Sequence, residues 1–185
     1  MRFNRHSELE DKHATLGASR YHWIHYDMEK LERTYENLRK SQEGVELHEL
    51  AKMLILKKIK LERNNLTLNS YVNDAIGYRM SPEVVLYVSD NAFGTADAIS
   101  FDGNTLRIHD LKTGMLKAHP EQLDIYAAYF CIEYRKNPYD LEIKLRIYQN
   151  DEILDFDGDP KEIQRIMKQT HEFSRRIDQM KAVIG

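Results

Sequence analysis

Gly94–Gly114, GTADAISFDGNTLRIHDLKTG, reads as two short apolar runs meeting at Gly103-Asn104, a two-residue hairpin signal. With that turn, Asp102 faces Thr105, Phe101 faces Leu106, Ile99 faces Ile108 and Asp97 faces Asp110. Alternation then puts Asp97, Ile99, Phe101, Leu106, Ile108, Asp110 and Lys112 on one face, apolar near the turn and charged at the open end. Opposed Cβ atoms lie about 5 Å apart, where like charges destabilise unless one is protonated or a cation lies between them. A divalent ion resolves the conflict, and hard oxygen ligands suit Mg²⁺ or Mn²⁺. A lysine beside such an ion can orient the attacking water or stabilise charge on a phosphate. The chemistry implied is phosphodiester hydrolysis. Two alternatives stay open on spacing alone. A loop at Asp102-Gly103 would shift the register and separate the aspartates, and Asp97 also reads as a solvated strand end with Asp110 paired to Lys112 or Arg107.

Working outward, the 185 residues are the size of one domain over 1–185, with 42% hydrophobic and 31% charged residues, as in ordinary globular proteins. The single Cys131 excludes an internal disulfide and any cysteine-based zinc or iron–sulfur site, and suits a reducing, cytoplasmic setting. The first residues lack a signal-peptide core, and no apolar run is long enough to span a bilayer. The net charge of −3 neither requires nor excludes nucleic acid.

Periodicity predicts a helix over Met28–Lys40, a second over Val45–Arg63 with a basic side, a short helix in Leu66–Glu83 and a strand at VVLYVSD. After the hairpin, a loop runs from Thr113 to Pro120. A largely apolar helix follows in EQLDIYAAYFCIEYRKN, then an alternating strand with Leu141, Ile143, Leu145 and Ile147 inward, then EILDF as its partner. Pro160 opens a last helix with a stripe of Ile163, Ile166, Met167, Phe173, Ile177 and Met180. The fold class is α/β, with a central mixed sheet flanked by helices.

Four pieces of the chain, in order, carry a resemblance: GVELH (Gly44, His48), GTAD (Gly94, Asp97), DLKTG (Asp110, Lys112, Thr113) and QLDIY (Gln122, Tyr126). Together they resemble the PD-(D/E)XK nuclease superfamily, within it the RecB-like exonuclease branch that includes the CRISPR-associated and phage recombination exonucleases. LGASRYHWIHYD and NSYVNDAIGYRM also look like segments of small phage-encoded members. The resemblance implies a restriction-endonuclease-like fold, with Mg²⁺ or Mn²⁺ held by His48, Asp97, Asp110 and the Leu111 carbonyl. It implies Lys112 as the catalytic lysine, and Gln122, Tyr126 and Thr113 as substrate contacts or supports for Lys112. The implied partners are DNA, a homo-oligomer (related phage exonucleases form rings around DNA) and a phage recombination protein, in the host cytoplasm if the chain is phage-encoded. An iron–sulfur cluster like that of the CRISPR-associated members is excluded by the cysteine count.

Other patterns weigh less. His48-Glu49 opens an H-E-x-x-H pattern that fails at Lys52, and Glu49 reads as a surface residue. DFDGDP mimics a calcium loop, but its glycine and closing acid are misplaced, so it reads as an acidic cap on the last helix. Tyr21, Trp23 and Tyr26 offer stacking surfaces for unpaired bases or a core or subunit contact. The leading expectation is a metal-dependent deoxyribonuclease, an exonuclease by resemblance. Its rivals are a nuclease-fold binder of DNA or protein without cleavage, and a structural α/β domain with an incidental acidic end.

Overall fold

A computed structural model describes residues 14–114 and 119–184; residues 115–118 of the expected loop lie outside them. The chain divides into two compact units, one up to Val45 and one from Glu46 onward. The first holds a 3-10 segment, Ala18–His25, where Trp23 Nε1 donates to the Gly17 carbonyl and Tyr21 rests on His22. The sheet and every residue of the candidate site belong to the second.

The elements are α1 (Met28–Leu56), α2 (Thr67–Gly77), β1 (Ser81–Ser89), β2 (Ala92–Asp102), β3 (Thr105–Leu111), α3 (Glu121–Glu133), β4 (Glu142–Gln149), β5 (Glu152–Asp157) and α4 (Pro160–Ile184). The helices expected over Met28–Lys40 and Val45–Arg63 are thus one helix, which also stops earlier. Gly44 does not divide it, because one helical glycine costs only about 1 kcal/mol. The stop is a Schellman turn. Lys58 takes φ +55° and donates to the Ile55 carbonyl, while Ile59 donates to Leu54. Arg79 ends α2 and Arg135 ends α3 in the same way, each a basic residue where glycine is usual. The last helix begins as expected, with Asp159 Oδ1 accepting from the Lys161 N–H and Pro160 in the first turn. Its stripe is only partly used: Ile163 is buried, Ile166 and Met167 are half-buried, and Phe173, Ile177 and Met180 are exposed.

The five strands are ordered β1-β2-β3-β4-β5, antiparallel throughout except for the parallel β3–β4 pair that α3 connects. This is a mixed α/β domain with a five-stranded mixed sheet flanked by helices, consistent with a restriction-endonuclease-like fold. One core lies on the α3 side, with Leu106, Ile108, Ile143, Leu145 and Ile147 against Leu123, Ala127 and Cys131. The other lies on the α2 side, where Ala98, Leu111 and Tyr148 meet Ala51, Leu54, Tyr71, Val72 and Ala75. The second core covers only one end of its sheet face. Among the described residues no helix is long and apolar enough to cross a membrane.

Candidate metal centre

The expected hairpin register is the observed one. Asp102 pairs with Thr105, Phe101 with Leu106, Ile99 with Ile108 and Ala98 with His109. Gly103, at φ +63°, takes the left-handed first turn position that glycine adopts without strain. The ladder stops one step short of Asp97 and Asp110, and on its other side β2 pairs Ala98 with Pro82 and Ala96 with Val84. Asp97 therefore has no ladder partner in either direction. The alternation also slips there, since Ala96 and Ile99 both pack on the α3 side while Ala98 packs on the other. The expected single face holding Asp97, Ile99 and Phe101 is broken at Asp97. Such an irregularity re-aims a side chain as a bulge does.

Released from the ladder, Asp97 turns one oxygen toward the end of β3. Its Oδ2 accepts the Leu111 N–H at 2.8 Å, and its Oδ1 lies 3.6 Å from His48 Nδ1 on α1. The Leu111 N–H thereby orients the Asp97 carboxylate, a contact separate from the carbonyl expected as a ligand. Burial first, then the charge of Asp110, push the Asp97 carboxyl up to about 6, against the opposing pull of the Leu111 N–H and of His48. The like-charge conflict expected from the hairpin is present in the fold.

Opposite Asp97 on β1 stands Glu83, also missing from the ladder and held at φ +53°. A left-handed glutamate inside a strand is strained by roughly 1–3 kcal/mol. What the strain secures is convergence, because His48, Glu83 and Asp97 each offer a ligand atom within 4.8 Å of the others. Metal–donor bonds of about 2.1 Å put neighbouring ligand atoms about 3 Å apart, so the three side chains would have to draw together by about 1 Å or more around an ion. The donor set, one imidazole nitrogen and two carboxylate oxygens, fits a divalent cation.

Asp110 stands outside that group but beside it. Its Oδ1 accepts from Lys112 Nζ at 3.2 Å, and its Oδ2 lies 3.0 Å from the same ammonium without hydrogen-bond geometry. Oδ2 is the one buried side-chain polar atom without a hydrogen-bond partner among the described residues. The ion pair with Lys112 offsets part of the cost of burying that oxygen, which keeps a lone pair without a hydrogen bond. Lys112 continues the chain of contacts. Its Nζ donates to Gln122 Oε1 at 2.8 Å, and Gln122 Nε2 donates to the Tyr126 hydroxyl at 3.0 Å. A Cβ on Gly94 would come within 3.0 Å of Tyr126 Cε1. The glycine of GTAD thereby makes room for the tyrosine of QLDIY. Thr113 is exposed in the loop after β3.

Two residues of the site were not expected from the sequence. Glu83, in RMSPE, is one, and its only signal was an acid near the start of a strand. The other is Tyr71 on α2, whose hydroxyl is pushed far up by burial and then by the charges of Asp97, Glu83 and Asp110. Among the basic residues expected along α1, Lys52 approaches Glu49 at 3.5 Å, and Lys57, Lys58, Lys60 and Arg63 are exposed. No family model, curated protein or solved structure matches the chain.

Proposed function

We propose that the chain is a metal-dependent deoxyribonuclease of the RecB-like type, acting as an exonuclease. The observation that carries this reading is the meeting of two groups where β1, β2 and β3 lie side by side: the His48–Glu83–Asp97 donors, and Asp110, whose Oδ2 lacks a hydrogen bond and lies 3.0 Å from Lys112 Nζ. A structural acidic patch has no reason to strain Glu83, unpair Asp97 from the ladder and bury the Asp110 carboxylate together.

In this reading His48, Glu83, Asp97 and Asp110 hold the ion. A bound Mg²⁺ or Mn²⁺ would polarise the phosphate and lower the pKa of a coordinated water. The nitrogen donor favours Mn²⁺ of the two, since Mg²⁺ prefers an all-oxygen shell. Lys112, fixed by Asp110 and Gln122, presents its ammonium where charge grows on the phosphate oxygens. Gln122 has one amide face on Lys112 and the other on Tyr126, so it sets the direction of the lysine. The lone Cys131, buried and pushed up to about 11, is no competing nucleophile and fits a reducing cytoplasm, that of a host cell if the gene is phage-borne.

The test is degradation of end-labelled linear and closed circular DNA with Mg²⁺, Mn²⁺ or EDTA, comparing wild type with Asp110→Ala and Lys112→Ala. Metal-dependent loss of label from linear DNA alone, abolished in both variants, is the expected result. No cutting with either ion, or full activity in both variants, sinks the enzyme reading. Metal-independent DNA binding without cutting would make the chain a binder instead.

A further inference from the structure

On the α3 side of the sheet, where β1 begins and β2 and α3 end, lies a cleft of about 470 Å³ that shares no residue with the metal centre. It has the size of a small-ligand pocket. Its floor is aliphatic, formed by Val84, Leu86 and Ile99, with Leu86 and Ile99 buried. Beside them three rings stand in a row, the Phe130 centroid lying 5.2 Å from that of Phe101 and 4.8 Å from that of Tyr134. Phe130 is buried, but Phe101 is 37% and Tyr134 50% exposed. A large apolar surface is thus left to water inside a concave site, where a ligand gains most by covering it.

The rim supplies charge of one sign. Arg79 and Lys136 line the cleft, and neither forms an ion pair among the described residues, while Lys144, Arg146 and Arg165 of the same unit are all paired. Lys136 Nζ lies instead over the Phe101 ring, 5.2 Å from its centroid, a contact that claims none of its N–H groups. No carboxylate among the described residues lines the cleft. The acids next in sequence are engaged or aimed elsewhere. Glu83 belongs to the metal centre, Glu133 Oε2 accepts from the Tyr87 N–H, and Asp102 follows Phe101 in β2 and so stands on the opposite face of the sheet. Ser81 and Ser100 add two hydroxyls that make no hydrogen bond among the described residues.

We propose that this cleft binds a carboxylate carried on an aromatic or large apolar group, of the kind a partner protein presents at its C-terminus when the last residue is phenylalanine. The apolar group covers the exposed rings and the Leu86–Ile99 floor, and the carboxylate accepts from Arg79, Lys136 and the serine hydroxyls. A nucleotide also supplies an anion and a ring. Its base, however, carries polar edges that an aliphatic floor cannot pair, and their desolvation opposes binding. The carboxylate has two sources, a chain end or a free aromatic acid.

Isothermal titration calorimetry on the full chain in EDTA reads the cleft without any metal-centre contribution. The probes are a short peptide ending in phenylalanine with a free carboxylate, the same peptide amidated, the same peptide ending in glycine, phenylpropionate, and thymidine monophosphate. Saturable binding of the free-carboxylate phenylalanine peptide is expected. Amidation, or the double variant Arg79→Gln/Lys136→Gln, should weaken it roughly tenfold or more. Both side chains are exposed, so the double variant is expected to fold; Tyr134→Ala, which removes the most exposed ring, should weaken binding in the same direction. Lys112→Ala should leave the affinity unchanged, which separates this cleft from the proposed nuclease centre. Phenylpropionate binding as tightly as the peptide identifies the free acid as sufficient, and a tighter peptide identifies the chain end. The proposal falls if the free-carboxylate peptide does not bind, if its amidated or glycine-ending form binds as well, or if the nucleotide binds more tightly. It falls equally if Lys112→Ala rather than the double variant removes the affinity.

Discussion

Two hairpins of this sheet each carry a pair of strand aspartates, and they use them in opposite ways. In β4–β5, Lys144 stands directly across from Asp157 and Arg146 across from Asp155, and each pair is bonded. The turn, Asn150-Asp151, has both residues at positive φ, as a tight hairpin of matching twist requires. In β2–β3 the regular ladder ends before Asp97 and Asp110 are reached, and no strand neighbour neutralises Asp97. Opposite charges across strands stabilise a sheet by a few tenths of a kcal/mol, and like charges do the reverse. An aspartate in a strand therefore carries little functional information by itself. Its state of compensation does.

The difference should be largest in activity. Asp110→Ala and Lys112→Ala should lower DNA cleavage on the order of a thousandfold, whereas Asp155→Ala and Asp157→Ala should leave it within a factor of about two, because exposed ion pairs contribute about 0–1 kcal/mol. Equal losses in the two hairpins, in a labelled-DNA assay, would erase the contrast.

The second effect is on stability against pH. Asp97 is raised in the folded chain to about 6, above its ordinary 3.8, so the folded state binds the proton more tightly than the unfolded one. Sign and window follow: without metal, stability rises as pH falls from about 7 towards 4, by roughly 3 kcal/mol at most. Thermal melts in EDTA should show that rise, Asp97→Asn should remove most of it, and Mn²⁺ should raise the melting temperature at pH 7. A melt independent of both pH and Mn²⁺ would mean that the carboxylates are not in conflict.

Glu83 sharpens the comparison further. Glu83→Gly removes a left-handed glutamate and should stabilise the metal-free protein by about 1 kcal/mol, while weakening Mn²⁺ binding measured by calorimetry. Glu83→Gln keeps the strain and should lose affinity without gaining stability. Smallest is Gly94→Ala, whose methyl meets Tyr126 and should cost about 1 kcal/mol. A partial recovery of cleavage in Gly94→Ala/Tyr126→Phe would argue against a steric role, because the ring that clashes is retained.

The strands and the hairpin register were legible because alternation and a Gly-Asn turn are local signals. His48, Asp97, Asp110, Lys112, Gln122 and Tyr126 were legible through spaced motifs that resemble a family. Helix ends were not, because Lys58, Arg79 and Arg135 occupy the left-handed closing position without a glycine to announce it. Glu83 was hidden for a related reason. Its role depends on a backbone angle that a glutamate adopts only under tertiary constraint, and on a gap in the pairing of β2 that no sequence period records. The contact between Gly94 and Tyr126 joins two motifs that look independent in the sequence.

The Lys112 N–H donates to the Tyr148 carbonyl at 2.9 Å, so the lysine's backbone is held by β4, a strand that the ribosome delivers only after α3. All of the motif residues precede that strand. A growing chain thus carries His48, Asp97, Asp110 and Lys112 before β4 is there to hold the backbone of the last of them. Order of synthesis becomes a constraint: the cluster is completed by the carboxy-terminal half of the fold rather than by the arrival of its residues.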